Sequence, residues 1–178
     1  MFYMQHYGIP TRLLDWSESP FVALYFALTS CKRDEKNVVT GPVAVWMLDP
    51  SEWNKVALSD ISFEGDVLDS KREQVKSYSP KAELDERKNT AVMIYGTHNS
   101  PRIVAQRGTF GLFGKSVESM DKQFTRGAFS KETLQRIVIP ADKVDEVAQS
   151  LFRKGIADST VYPDLHGLAL EMRRQFSF

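Results

Sequence analysis

The sequence predicts an α+β domain, with a mixed or antiparallel sheet packed against helices, and three observations carry that prediction. A length of 178 residues suits one domain with one sizeable core. A content of 42% apolar and 26% charged residues is ordinary for a globular chain. Runs that read as strands and runs with helical spacing follow one another without a βαβ rhythm, which disfavours a doubly wound parallel sheet. Residues 1–178 therefore read as a single domain, with no repeat, low-complexity tract or linker.

Taken in order, residues 1–7 read as the tail of a helix ended by Gly8. Pro10 biases Ile9 towards extended backbone, and Thr11 to Trp16 then reads as a short strand or extended segment. Ser19-Pro20 is a helix start, with serine as N-cap and proline at the first helical position. That helix places Phe21, Leu24, Tyr25 and Leu28 on one face and Val22, Ala23, Phe26 and Ala27 on the others, so burial nearly all round is expected. Cys31, near its end, reads as an inert small core residue. The apolar run from Val43 to Leu48 suits a strand covered on both faces. Asp49-Pro50-Ser51-Glu52 has capping-box spacing and opens a short helix carrying Trp53 and Val56. Residues 58–88 are polar and aperiodic, and read as a mobile region or insertion. Strands are expected at Thr90 to Tyr95, Ile103 to Ala105, Thr109 to Phe113 and Leu134 to Ile139. An amphipathic helix follows with Val144, Val147, Ala148, Leu151 and Phe152 inward, closed by Gly155. The last helix starts at Pro163, with Leu165, Leu168, Ala169 and Met172 inward and Arg173 and Arg174 outward.

Totals exclude several classes of function. Lysine plus arginine (23) equals aspartate plus glutamate (23), so no global field draws in nucleic acid or anionic membrane. One cysteine excludes an internal disulfide and fits a reducing compartment. The start lacks a positive segment followed by an apolar one, and no apolar run approaches the roughly 18 residues of a membrane span. A cytoplasmic protein is expected. The three histidines are far apart and no Cys or His pair has metal-ligand spacing, so no metal is expected. Gly108 to Ser116 looks like a phosphate loop but fails on spacing, with five residues after Gly108, or two after Gly111, before Gly-Lys-Ser.

The polar residues near the amino end are the stronger signal. His6, Arg12 and Asp15 stand among large apolar residues, where each must find a partner or do work. Two readings stay open. In the structural one Asp15 caps the next helix or pairs with Arg12, and His6 is a satisfied core histidine. In the functional one the three line a cleft, where an arginine fork and the helix start at Pro20 suit phosphate or carboxylate. Arg12 and Asp15 are three apart, so on an ideal strand they face opposite sides and a direct pair requires a bend. Gln106, before Gly108, is either a ligand-binding amide or a turn-side amide satisfied by backbone.

Gln5-His6-Tyr7-Gly8, Pro10-Thr11-Arg12-Leu13-Leu14-Asp15-Trp16 and Ser19-Pro20 with Ala23 to Ala27 resemble the FRG domain family. Pro101-Arg102-Ile103 with Gln106, Gly108 and Phe110 resembles a second block of that family, and Gly155-Ile156 with Ser159 to Ala169 a closing one. The family's aromatic-Arg-Gly motif has no counterpart, since Arg107-Gly108 and Arg126-Gly127 are misplaced. On that resemblance the chain is an FRG-type domain lacking its N-terminal portion. His166 stands where an acidic residue is expected.

The resemblance implies, by analogy of layout, an ADP-ribosyltransferase-like fold. It also implies binding or modification of a nucleotide-like ligand such as NAD, in a bacterial toxin or defence setting. Asp15 and Gln106 would then be the catalytic candidates, with Gln5, His6, Tyr7, Thr11 and Arg12 binding the ligand. Gln106 can orient a ribose but carries no charge for an oxocarbenium-like centre, so weak or absent activity is expected. The alternative is a non-catalytic protein-interaction module in which these residues are struts.

Overall fold

The computed structural model describes residues 4–5, 9–79, 81–83, 85–96 and 100–176. In chain order its main elements are β1 (Leu13–Ser17), α1 (Pro20–Thr29), β2 (Val43–Leu48), α2 (Pro50–Ala57), α3 (Glu73–Lys76), β3 (Val92–Tyr95) and α4 (Pro101–Gln106). There follow β4 (Gly108–Leu112), α5 (Met120–Arg126), β5 (Leu134–Ile139), α6 (Val144–Arg153), α7 (Asp158–Val161) and α8 (Leu165–Phe176). One sheet has the order β1-β4-β3, and β2 pairs with β5 in a second. The α+β expectation is met.

The residues pack as two compact units, each gathered from separated segments. The first comprises Met1–Trp16, Met47–Thr97 and Gly108–Gln135. Here β3 and β4 run antiparallel, with Val92 opposite Leu112 and Tyr95 opposite Thr109. Trp53, wholly buried on α2, packs with Met93, Met120 and Leu134. It stacks on Phe129 at 4.3 Å and donates its indole N–H to Ala91 O at 2.7 Å, so its one polar atom is matched.

The next residue, Asn54, is also fully buried and satisfied. Its amide donates to Asp66 O and Met93 O at 2.6 and 2.8 Å and accepts from Met93 N–H at 2.7 Å. Asn54 thus binds α2 to the edge of β3, where Leu68 adds a single parallel bridge to Ile94. The segment 58–88, expected to be a mobile region or insertion, also contributes to this core. Leu58, Leu68 and Tyr78 are wholly buried, so a segment without periodicity still supplies isolated core anchors.

In the second unit (Ser17–Trp46, His98–Arg107 and Arg136–Phe178) α1 packs on α6. Ser19 caps α1 as expected, its hydroxyl accepting from Val22 N–H at 3.4 Å. The inward face differs from the expected one. Val22, Tyr25 and Leu28 are buried, whereas Phe21 is half exposed. Nor is β2 covered on both faces, since Trp46 and Met47 are exposed. Cys31 is free and packs against the edge of the α1–α6 core. Asp49 caps α2 through Ser51 and Glu52 N–H groups, both at 3.0 Å. Its own N–H goes to Thr133 O, so the reciprocal half of a capping box is not made.

Two further corrections bear on the site. The expected strand at Ile103 to Ala105 is the helix α4, which starts with Pro101 at its first position, although Ser100 before it makes no side-chain cap bond as Ser19 does. Arg107 then ends it in the left-handed region, at φ 47°. The last helix is turned over. Gly167 is its buried residue, while Leu165, Leu168 and Met172 are exposed. A side chain at Gly167 would meet Tyr162 O at 2.0 Å, so absence of a Cβ is what lets this face lie on the turn after α7. Gly167→Ala is expected to lower stability by about 1–3 kcal/mol, read as a reduced urea midpoint.

Candidate functional site

The amino-terminal polar cluster is built where the chain enters β1. Thr11 turns the chain, its hydroxyl accepting from Leu13 N–H at 3.1 Å and donating to Gln5 Oε1. Gln5 Nε2 reaches Leu13 O and Asp15 Oδ1, both at 3.3 Å. Leu13 points into the core and Asp15 is exposed. Asp15 is thus a solvent-facing carboxylate held by an amide from the preceding segment.

Arg12 serves a different set of partners in the first unit. Its terminal guanidinium nitrogens donate to Phe113 O at 3.0 Å and to Tyr78 O at 2.5 Å, while its own carbonyl accepts from Phe113 N–H at 2.9 Å. One residue therefore ties β1, the chain after β4 and the 58–88 segment together. Burial and the nearby Arg87 lower its pKa, though a guanidinium stays charged. Within that segment the phenol of Tyr78 donates to Thr90 O at 2.8 Å and has its pKa raised by burial.

Gln106 lies in the second unit, at the end of α4. Its amide donates to Val161 O at 3.2 Å, and its carbonyl accepts from the Ser17 hydroxyl at 2.7 Å. Ser17 Oγ also accepts from Ser19 N–H, so it orders the approach to α1. His6 and Tyr7 lie outside the described residues, and the helix expected over residues 1–7 is described only at Met4 and Gln5. Among the described residues no group of three or more His, Cys, Asp or Glu could hold a metal ion. None of the described helices is long and apolar enough to cross a membrane.

Sequence reasoning missed the most deeply built polar group, in the second unit. Asp158 is 1% exposed. It accepts from Tyr25 OH at 2.6 Å and from Arg174 Nε and Nη2 at 2.9 and 3.0 Å. The guanidinium also lies over the Phe152 ring at 4.7 Å. Burial opposes ionisation of Asp158, but the bonds from Arg174 and Tyr25 overcome it and hold its pKa below the usual carboxylate value. Burial and this carboxylate push the Tyr25 phenol up. Two signals could have revealed the group. A buried tyrosine needs an acceptor, and Gly167, Glu171 and Arg174 recur at the spacing of one helix face.

The class these features define is a mixed α+β protein with a strand entering an N-capped helix near its amino end. A family model of the FRG domain matches residues 1–36, which contain the Gln5 to Trp16 run and α1. No curated protein and no solved structure matches the chain.

Proposed function

We propose that this chain is a non-catalytic interaction module of FRG type. The support is the employment of Arg12, the strongest anion-binding candidate, whose two terminal nitrogens are engaged by the backbone carbonyls of Phe113 and Tyr78. A guanidinium used in that way positions three chain segments and commits two of its five N–H donors, with its orientation, to backbone carbonyls. Gln106 is likewise engaged by Val161 O.

A second reading, binding or modification of a nucleotide-like ligand such as NAD, is favoured by Asp15. That carboxylate is exposed and held by Gln5, as an acceptor for ligand hydroxyls would be. The two separate in one measurement. The purified chain is incubated with NAD, free nicotinamide is quantified, and NAD binding is followed by calorimetry. Neither release above a protein-free blank nor binding heat is expected. Release or binding that disappears in Asp15→Asn, with the melting temperature unchanged, reverses the assignment in favour of the nucleotide reading.

A further inference from the structure

We propose that Asp158, Tyr25 and Phe152 form an arginine-binding site, which α8 fills with its own Arg174 and which an arginine of a partner protein takes over. The proposal rests on the interaction-module reading and deepens it by naming the partner's chemistry at one place. All four residues belong to the second unit. The receptor half is built without α8, since Tyr25 comes from α1, Phe152 from α6, and Asp158 opens α7. Asp158 Oδ1 accepts from Tyr25 OH at 2.6 Å and from Arg174 Nη2 at 3.0 Å, while Oδ2 accepts from Arg174 Nε at 2.9 Å. The Phe152 ring lies 4.7 Å from the same guanidinium. A carboxylate that grips two nitrogens of one planar fork, with an aromatic face beside it, selects a guanidinium over an ammonium.

The occupant is exchangeable for two reasons. The first is that α8 is lightly held apart from the clasp. Gly167 is the one buried residue of its twelve, and Leu165, Leu168 and Met172 face solvent. Beyond the clasp, Gly167 lies on Tyr162 O and Glu171 accepts from Ser159 N–H at 3.0 Å. The second is that the site is open at its mouth. Asp158 is 1% exposed but the Arg174 side chain is 45% exposed, so the carboxylate forms the floor and the guanidinium plugs the entrance. An emptied site would hold an ionised carboxylate out of water and so demands another cation. Arg33, the neighbouring cation, is committed to Asp145 at 2.5 Å and does not supply it.

The test uses the whole chain carrying Arg174→Ala, which empties the site at a helical position where alanine is favoured. Its melting temperature is followed with N-ethylguanidinium, with ethylammonium, and with short glycine peptides holding one arginine or one lysine. Ethylguanidinium and the arginine peptide are each expected to raise it by about 3 °C or more at saturation. Ethylammonium and the lysine peptide should leave it unchanged. Wild type, with its site filled, should not respond, and neither should Arg174→Ala combined with Asp158→Asn. If a variant is unfolded, the same additions are read as recovery of its circular dichroism, so loss of folding does not remove the test. No rescue, equal rescue by the ammonium compounds, an equal rise in wild type, or rescue that survives Asp158→Asn overturns the proposal. Rescue by ethylguanidinium without the arginine peptide assigns the site to a free guanidine and equally overturns it. So does a wild-type dimer in sedimentation that Arg174→Ala disperses, which assigns the occupant to Arg174 of a second copy. Each of these failures leaves the non-catalytic reading intact, because that reading is decided by nicotinamide release and NAD binding.

Discussion

Asp158→Ala is expected to lower the stability of the chain by about 3 kcal/mol, measured as the shift in urea midpoint at constant slope. Loss of one partner from a buried charged group is costly because the others stay behind. Tyr25, 2% exposed, would keep a phenol O–H with no acceptor. Arg174 is 45% exposed and can turn to water, which places the effect at the lower end of the range for such pairs. Asp158→Asn retains the volume and an acceptor for Tyr25 while removing the charge, so it should cost roughly half as much.

The same residue sets a pH dependence. Its carboxyl titrates lower in the folded chain than in the unfolded one. Below about pH 4, the ordinary carboxylate value, the unfolded chain takes up a proton that the folded one refuses. Stability from this group is therefore full above that pH and lost as pH falls through the folded pKa. Asp158→Asn should flatten the stability curve below about pH 4 relative to wild type. An unchanged slope there would show that the Tyr25–Asp158–Arg174 group does not favour the ionised form.

Much of the fold was legible wherever a local rule coincided with the tertiary outcome. Ser19-Pro20 and Pro140 have strong backbone consequences of their own, and α1 and β5 begin and end where those residues put them. Gly155, at φ 82°, ends α6 in the same way. The failures share a cause too. For Ile103 to Ala105 a short apolar run fits strand and helix alike, and Pro101 at the first helical position favours the helix. On α8 the apolar periodicity was real but faces solvent, because a glycine and a charge clasp hold the opposite face. Periodicity names a face, and only the packing partner says which way it turns. Within the candidate site, the neighbourhood of Gln5, Thr11 and Asp15 could be anticipated from nearness in sequence. The long-range partners of Arg12, separated from it by 66 and 101 residues, had no local signal.

Arg12→Ala is the substitution in which the structural and functional readings of the amino-terminal motif part most sharply. A strut that bonds two carbonyls should cost about 2–3 kcal/mol when removed, since each carbonyl loses a charged donor. The loss should concentrate where the residue works. Trypsin cleavage at Lys81, Arg87 and Lys88, downstream of Tyr78, should accelerate in Arg12→Ala at temperatures well below its melting point. Arg12→Lys restores the charge but not the fork, and one ammonium cannot take up the geometry that serves both Phe113 O and Tyr78 O. It should therefore recover no more than about half of the lost stability. If Arg12→Ala instead melts like wild type and resists trypsin equally, its bonds to those carbonyls contribute nothing to holding the segment. The guanidinium would then be available to an anion, and the assignment of this motif would pass to the ligand-binding reading.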